Sequence, residues 1–175
     1  DSEQILSTYR YDGFNHLIGV REGEQEEMLR YYRGYSLSHT RQGSVHTQYF
    51  FHGDLPLAEQ QLHAHERTLL LMTNASPSVI AECLQGKPLD IVYSAYGQRS
   101  AEEEVNTLLA FNGEVREATS GWYLLGRGYR AYNPQLMRFH SPDSLSPFGA
   151  GGPNPYVYCL GNPIALRDPS GHMPN

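Results

Sequence analysis

Basic runs, long apolar stretches and paired cysteines are all missing from this sequence. Lys and Arg total 13 against 19 Asp and Glu, for a formal net charge of -6. An acidic chain without a basic block is a poor general ligand for phosphate backbones, which argues against a nucleic-acid partner. No stretch approaches the roughly 18 apolar residues of a membrane-spanning helix. The start, Asp1-Ser2-Glu3-Gln4, carries no signal-peptide pattern. The two cysteines, Cys83 and Cys159, are not in a C-x-x-C spacing. They read as free thiols, with a disulfide between them as the open alternative. Charged residues make up 18% of the chain, too few for a coiled coil.

What is abundant points to β-structure. Thirteen Tyr stand against one Trp, with 17 Gly and 11 Pro in 175 residues. Short Tyr-rich segments punctuated by turn residues favour an all-β fold. Tyr9-Arg10-Tyr11 puts both rings on one face of a strand. Asp12-Gly13 reads as a hairpin turn and Leu17-Ile18-Gly19-Val20 as the returning strand. The pattern returns near Tyr31, Phe51, Leu69–Met72 and Ile91–Tyr93, in steps of about twenty residues. A sustained period of that kind predicts hairpin repeats, each unable to bury its own apolar face. Leu57 to Met72 is expected to be a strand pair rather than a helix, with a polar tip at His63-Ala64-His65. That His-x-His pair lacks a visible third ligand, so no metal is expected there. Glu22–Glu27 and Glu102–Glu104 read as solvated charge runs.

The last third changes character. Asn112-Gly113 and Asn133-Pro134 are turn dipeptides. Trp122 to Tyr132 reads as a strand interrupted by glycines, which mark bulges or close backbone approach. Leu136–Phe139 and Tyr156–Leu160 read as short strands, and Ser146–Pro155 is too dense in Pro and Gly for either a helix or a central strand. Tyr129, Tyr132, Tyr156 and Tyr158 are expected to pack strands. Aspartates in Pro-Asp-Ser and Asp-Pro contexts ordinarily cap turn amides.

The words Gly128-Tyr129-Arg130-Ala131-Tyr132-Asn133-Pro134, Arg138-Phe139, Ser141-Pro142-Asp143-Ser144, Asn154-Pro155-Tyr156-Val157-Tyr158, Asn162-Pro163 and Asp168-Pro169-Ser170-Gly171 occur in this order. Together they closely resemble the Rhs repeat-associated core domain, and Tyr9-x-Tyr11-Asp12 resembles the YD repeat of the same family. The resemblance implies YD-type repeats over residues 1–106, forming a curved sheet that is part of a β-shell. It implies a turn-rich core, or plug, over residues 107–175. It further implies a toxin domain that follows the core, sits inside the shell and is released by an intramolecular aspartyl protease. Carried over residue by residue, the arginine of that site is Arg130 and its two aspartates are Asp143 and Asp168. The cut is expected just after Gly171, in the region of His172, Met173, Pro174 and Asn175, with no cofactor. Such a protein is expected to be made in the bacterial cytoplasm and exported by a dedicated machine.

The chemistry is sound on its own terms. Two carboxyls sharing a site keep one proton between them, leaving a base to activate water and an acid to polarise the carbonyl. Arg130 suits a bidentate grip on a carboxylate, or the orientation of the scissile carbonyl. Tethering the substrate to the site supplies a high effective molarity. Arg138 is assigned a structural pairing or stacking role. His140 and His172 read as solvent-facing turn residues, with His172 close to the cut. Five repeats are too few to close a shell, so the chain is expected to be a fragment, a short orphan or a subunit that pairs with another β-shell protein. Its strand edges invite oligomers. The alternative is a non-catalytic β-repeat module that binds protein or glycan through Tyr31–Tyr35 or Tyr49–Phe51.

Overall fold

The computed structural model describes residues 6–62, 66–100 and 105–174. The chain start, the hairpin tip at His63–His65, the charge run Glu102–Glu104 and Asn175 lie outside the described residues.

Nine strands form one antiparallel sheet in which every strand pairs with its sequence neighbours. They are β1 (Ser7–Tyr11), β2 (Leu17–Glu22), β3 (Met28–Arg33), β4 (Ser36–Gln42), β5 (Val45–His52), β6 (Leu55–Leu62), β7 (Arg67–Thr73), β8 (Val79–Leu84) and β9 (Lys87–Asp90). The twenty-residue period is visible as a recurring irregularity. Each of the four hairpins shifts register near its turn, between Arg10 and Tyr11, Tyr31 and Tyr32, Phe50 and Phe51, and Met72 and Thr73. The aromatic anchors therefore sit beside β-bulges, which bend the strand and raise its twist. Pairing between hairpins is shorter. β2 meets β3 only through Gly19–Leu29 and Val20–Met28. The hairpin is thus the structural unit, as the period requires.

Local chemistry sets the turns. In the first loop the Asp12 carboxylate accepts the amides of Phe14 and His16 at 2.9 Å each. The positive φ there belongs to Asn15, not to Gly13. The fifth step of the repeat, at Ile91–Tyr93, does not extend the sheet; it forms a loop closed by a Tyr93–Arg99 bridge.

Alternation buries one face of the sheet. Leu37, Tyr49, Leu69, Leu71 and Val79 form its core together with Ile91, Leu109 and Val115. Burying each such side chain contributes roughly 1.5–3 kcal/mol. Tyr49 lies inside and cannot present a ring to a ligand, whereas Tyr31 is exposed and stacked on His39. A second core gathers Ala110, Tyr123, Leu125, Tyr132, Phe139, Tyr158 and Cys159. There the Tyr132 ring stacks on Tyr158 at 4.0 Å, and Phe139 meets both edge-on.

Buried carboxylates tie the two cores together. Glu82 accepts the backbone amides of Asn106 and Thr107, and the Thr107 hydroxyl donates to Glu59. Arg30 on β3 pairs with Glu117 at 2.8 Å, with both side chains buried. The Tyr9 hydroxyl donates to Glu117, and the Tyr11 hydroxyl to the Gly128 carbonyl. Cys83 and Cys159 are free. Among the described residues no helix is long and apolar enough to cross a membrane.

Candidate functional site

The C-terminal part carries a small antiparallel sheet of β10 (Tyr123–Leu124), β11 (Arg130–Asn133) and β12 (Arg138–Phe139). Between β10 and β11 the chain makes a tight left-handed turn, with positive φ at Gly126, Arg127 and Gly128. Glycine is required at position 126, where an added Cβ would strike the Ser170 carbonyl. This turn lets the Asp168–Gly171 segment lie directly against it, and Gly126 N donates to the Pro169 carbonyl. Tyr156–Leu160 is not a strand. Val157 makes a single bridge to Arg138, and Cys159 and Leu160 turn with positive φ.

Arg130 opens β11 and shares its buried face with Tyr132, two residues on. Its guanidinium lies over the Phe139 ring, with Cζ 3.6 Å from the centroid. The stacked arginine is therefore Arg130; Arg138 is exposed. Every nitrogen of the fork is engaged. Nε donates to the Gly171 carbonyl, Nη1 to the Pro155 carbonyl at 3.0 Å, and Nη2 faces two carboxylates. Asp143 Oδ2 lies 3.2 Å from Nη2 and Asp168 Oδ2 lies 3.7 Å from it. All three side chains are buried, with 2% exposure each.

The two carboxyls differ in surroundings. Burial raises the Asp143 pKa, but the Leu145 amide, the His172 ring and Arg130 outweigh it and hold the carboxyl below its ordinary value. Burial pushes Asp168 up, and its contacts with Ser170, Arg130, His172 and Gly171 offset this only in part. The pair is thus polarised, with Asp143 favouring the anion and Asp168 the acid. Asp143 Oδ2 accepts no hydrogen bond, a buried acceptor facing only the Arg130 ion pair.

The tail runs over these groups. His172 N donates to Asp168 Oδ1 at 3.1 Å, and the His172 ring meets Asp143 Oδ1 at 2.8 Å. His172 is half-buried and Met173 exposed. The lone-histidine reading missed this contact, because 29 residues separate His172 from Asp143. Tyr129 does not pack a strand as expected; it lies just before β11 and faces the tail. Its ring lies against the His172 ring, tilted by 30° with centroids 4.0 Å apart, and its hydroxyl donates to Ser144. His140 lies apart, exposed against Trp122. Among the described residues no cluster of His, Cys, Asp and Glu is arranged to hold a metal.

No protein-family model matches the chain. Tse5, a toxin protein of Pseudomonas aeruginosa, is 40% identical over 63 residues, which is 36% of this chain and 4% of Tse5. The Dickeya dadantii protein named "Probable deoxyribonuclease RhsA" is 29% identical over an alignment covering 93% of this chain and 12% of that protein. The chain therefore spans a small part of the curated relatives that it matches. Among solved structures, the crystal structure of TcdB2-TccC3-TEV superposes with a TM-score of 0.63 at 21% identity, over 94% of this chain and 9% of the other. The Photorhabdus luminescens Tc holotoxin pore superposes with a TM-score of 0.54 at 19% identity, over 97% and 10%. At such identities the structural matches speak to the fold, and they share its mostly β, antiparallel character. Sequence likeness to Tse5 and to RhsA, together with this common fold, supports an Rhs-related domain.

Proposed function

We propose that this chain is the self-cleaving end of an Rhs-type toxin scaffold, and that it cuts its own backbone once at a peptide bond of His172. The supporting observation is one guanidinium, that of Arg130, in contact with both acids and with the Gly171 carbonyl. In this reading Asp143 is the base and Asp168 the acid, as the opposite displacements of their pKa values suit. Asp143 Oδ2 takes a proton from water, and the resulting hydroxide adds to the scissile carbonyl carbon. Asp168 gives its proton to the carbonyl oxygen. Collapse of the tetrahedral gem-diol breaks the C–N bond: the leaving nitrogen takes the proton held on Asp143, and a hydroxyl of the adduct returns its proton to Asp168 as the new carboxyl forms. Arg130 orients the segment and balances the carboxylate charge. Because the substrate is tethered, a single turnover needs no substrate-binding cleft.

The proposal keeps the two-part division, with repeats through residue 106 and the plug from 107. A toxin domain beyond the plug, or a second β-shell protein, is its partner, and export from the bacterial cytoplasm follows from that role. The test is the intact mass of the chain carrying a reporter domain after Asn175. The wild type is expected to yield a fragment ending at Gly171 or His172, and Asp143→Asn and Asp168→Asn to stay whole. Cleavage at an undiminished rate in both variants sinks the two-acid mechanism.

A further inference from the structure

The groups that touch the tail do more than place a carbonyl near two acids. Like Arg130, His172 contacts both carboxylates, giving its backbone amide to Asp168 and its ring nitrogen to Asp143. The opposite face of the site is the Tyr129 ring, 4.0 Å from the imidazole. Tyr129 is itself fixed by Ser144, whose hydroxyl and amide both meet the Tyr129 oxygen. Ser144 directly follows Asp143, so ring and carboxylate form one seat. Next to it, Ser170 Oγ accepts the amides of His172 and Met173 and donates to Asp168.

We infer that the His172 side chain is the specificity-determining element of the cut, recognised by the seat that Tyr129 and Asp143 form, and that the same contact holds Asp143 as the anion. The inference rests on the proposed two-acid cleavage and assigns to it a substrate side chain: a flat ring bearing a hydrogen-bond donor. The tilted Tyr129 ring contact fixes where the backbone lies, and so which bond faces Asp143 Oδ2. The hydrogen bond on Oδ1 leaves Oδ2 as the oxygen that takes the proton. The charged and titratable groups around Asp143 are Arg130 from β11, Asp168 from the last turn, Tyr129 and His172 itself. With the imidazole removed, Arg130 and the Leu145 amide still favour the anion, but less strongly, and the Asp143 pKa rises.

The experiment uses the reporter-bearing chain, with rate and product mass read across pH. His172→Phe keeps a ring for Tyr129 and loses the donor. It is expected to cut about tenfold more slowly at neutral pH, with the acid limb of its profile about one pH higher. His172→Gln keeps a donor and loses the ring. Its limb is expected to stay near the wild-type position while its products carry mixed ends. A His172→Phe chain that cuts at the wild-type rate with an unmoved limb overturns the inference and leaves the two-acid reading standing. Asp143→Asn and Asp168→Asn chains that still cut overturn that reading instead. Should His172→Phe fail to fold, judged by its thermal transition, His172→Gln decides: a single wild-type end at full rate overturns the inference.

Discussion

At the scale of single residues, Arg130 carries the most demanding geometry in the chain. Its planar fork meets two carbonyls and two carboxylates while its face covers Phe139. Lysine offers the same charge but no fork and no flat face. Arg130→Lys is therefore expected to reduce self-cleavage at least tenfold, measured by intact mass, and also to lower the melting temperature. The acids add a pH signature. The proposed cleavage uses Asp143 ionised and Asp168 protonated, so its rate is expected to rise as pH passes the lowered Asp143 pKa and to fall as pH passes the raised Asp168 pKa. Their stability effects run oppositely. The contribution of Asp143 is present above its unfolded value and lost as pH falls through the folded one. That of Asp168 is present below its unfolded value and lost as pH rises through the folded one. A cleavage profile without an alkaline fall would contradict the acid role of Asp168. These residues were legible in the sequence because they sit in short words at Arg130, Asp143 and Asp168. The His172 contact was not, since nothing local to Gly171-His172-Met173 signals a partner 29 residues earlier.

Among the secondary-structure elements, the join between the sheet and the turn-rich C-terminal part rests on two glutamates that point inward from β6 and β8. Glu59 is buried beside Glu82, and burial, opposed by Thr107 and nearby amides, lifts it to about 7. A raised carboxyl stabilises the fold fully below its unfolded pKa and loses that contribution as pH rises through the folded value. Stability is thus expected to fall by about 2–3 kcal/mol between pH 5 and 8 through this group. Glu59→Gln should flatten that slope in urea titrations at the two pH values. Glu82 is the latch on the Asn106 and Thr107 amides. Glu82→Ala is expected to speed hydrogen exchange at both by tenfold or more, from the loss of charge-assisted bonds of about 1.5–3 kcal/mol. Sequence periodicity found the hairpins, because anchors such as Tyr11, Tyr31 and Phe51 mark the bulges. It missed the latch and its neighbour, since Glu82 lies 24 and 25 positions from Asn106 and Thr107, and Glu59 lies 48 positions from Thr107. The turn at Gly126–Gly128 was anticipated only as a glycine interruption, because its left-handed path depends on contact with Ser170.

For the whole molecule, the two rims of the nine-stranded sheet differ. β9 is short and carries Lys87, Pro88 and Asp90, features that discourage edge pairing. β1, with Ser7-Thr8-Tyr9-Arg10-Tyr11, has neither proline nor an acidic residue, and Tyr9 and Tyr11 are partly exposed. Self-association is therefore expected to run through β1. Light scattering should find a concentration-dependent larger species for the wild type and less of it for Thr8→Lys, which places charge on that edge. An unchanged species in Thr8→Lys would point elsewhere on the surface.

The hydroxyls of Tyr9 and Tyr11, near the start of the chain, bond to Glu117 and to the Gly128 carbonyl. Arg130 is two residues beyond that carbonyl. During synthesis every strand of the large sheet leaves the ribosome before the arginine, the acids and the tail do. The last turns can settle only onto a meander that is already complete. Under the proposed cleavage, a chain cut at His172 is one whose folding has finished, so the cut would serve as a quality-control mark: release of whatever follows would wait on completion of the sheet, with no separate signal required.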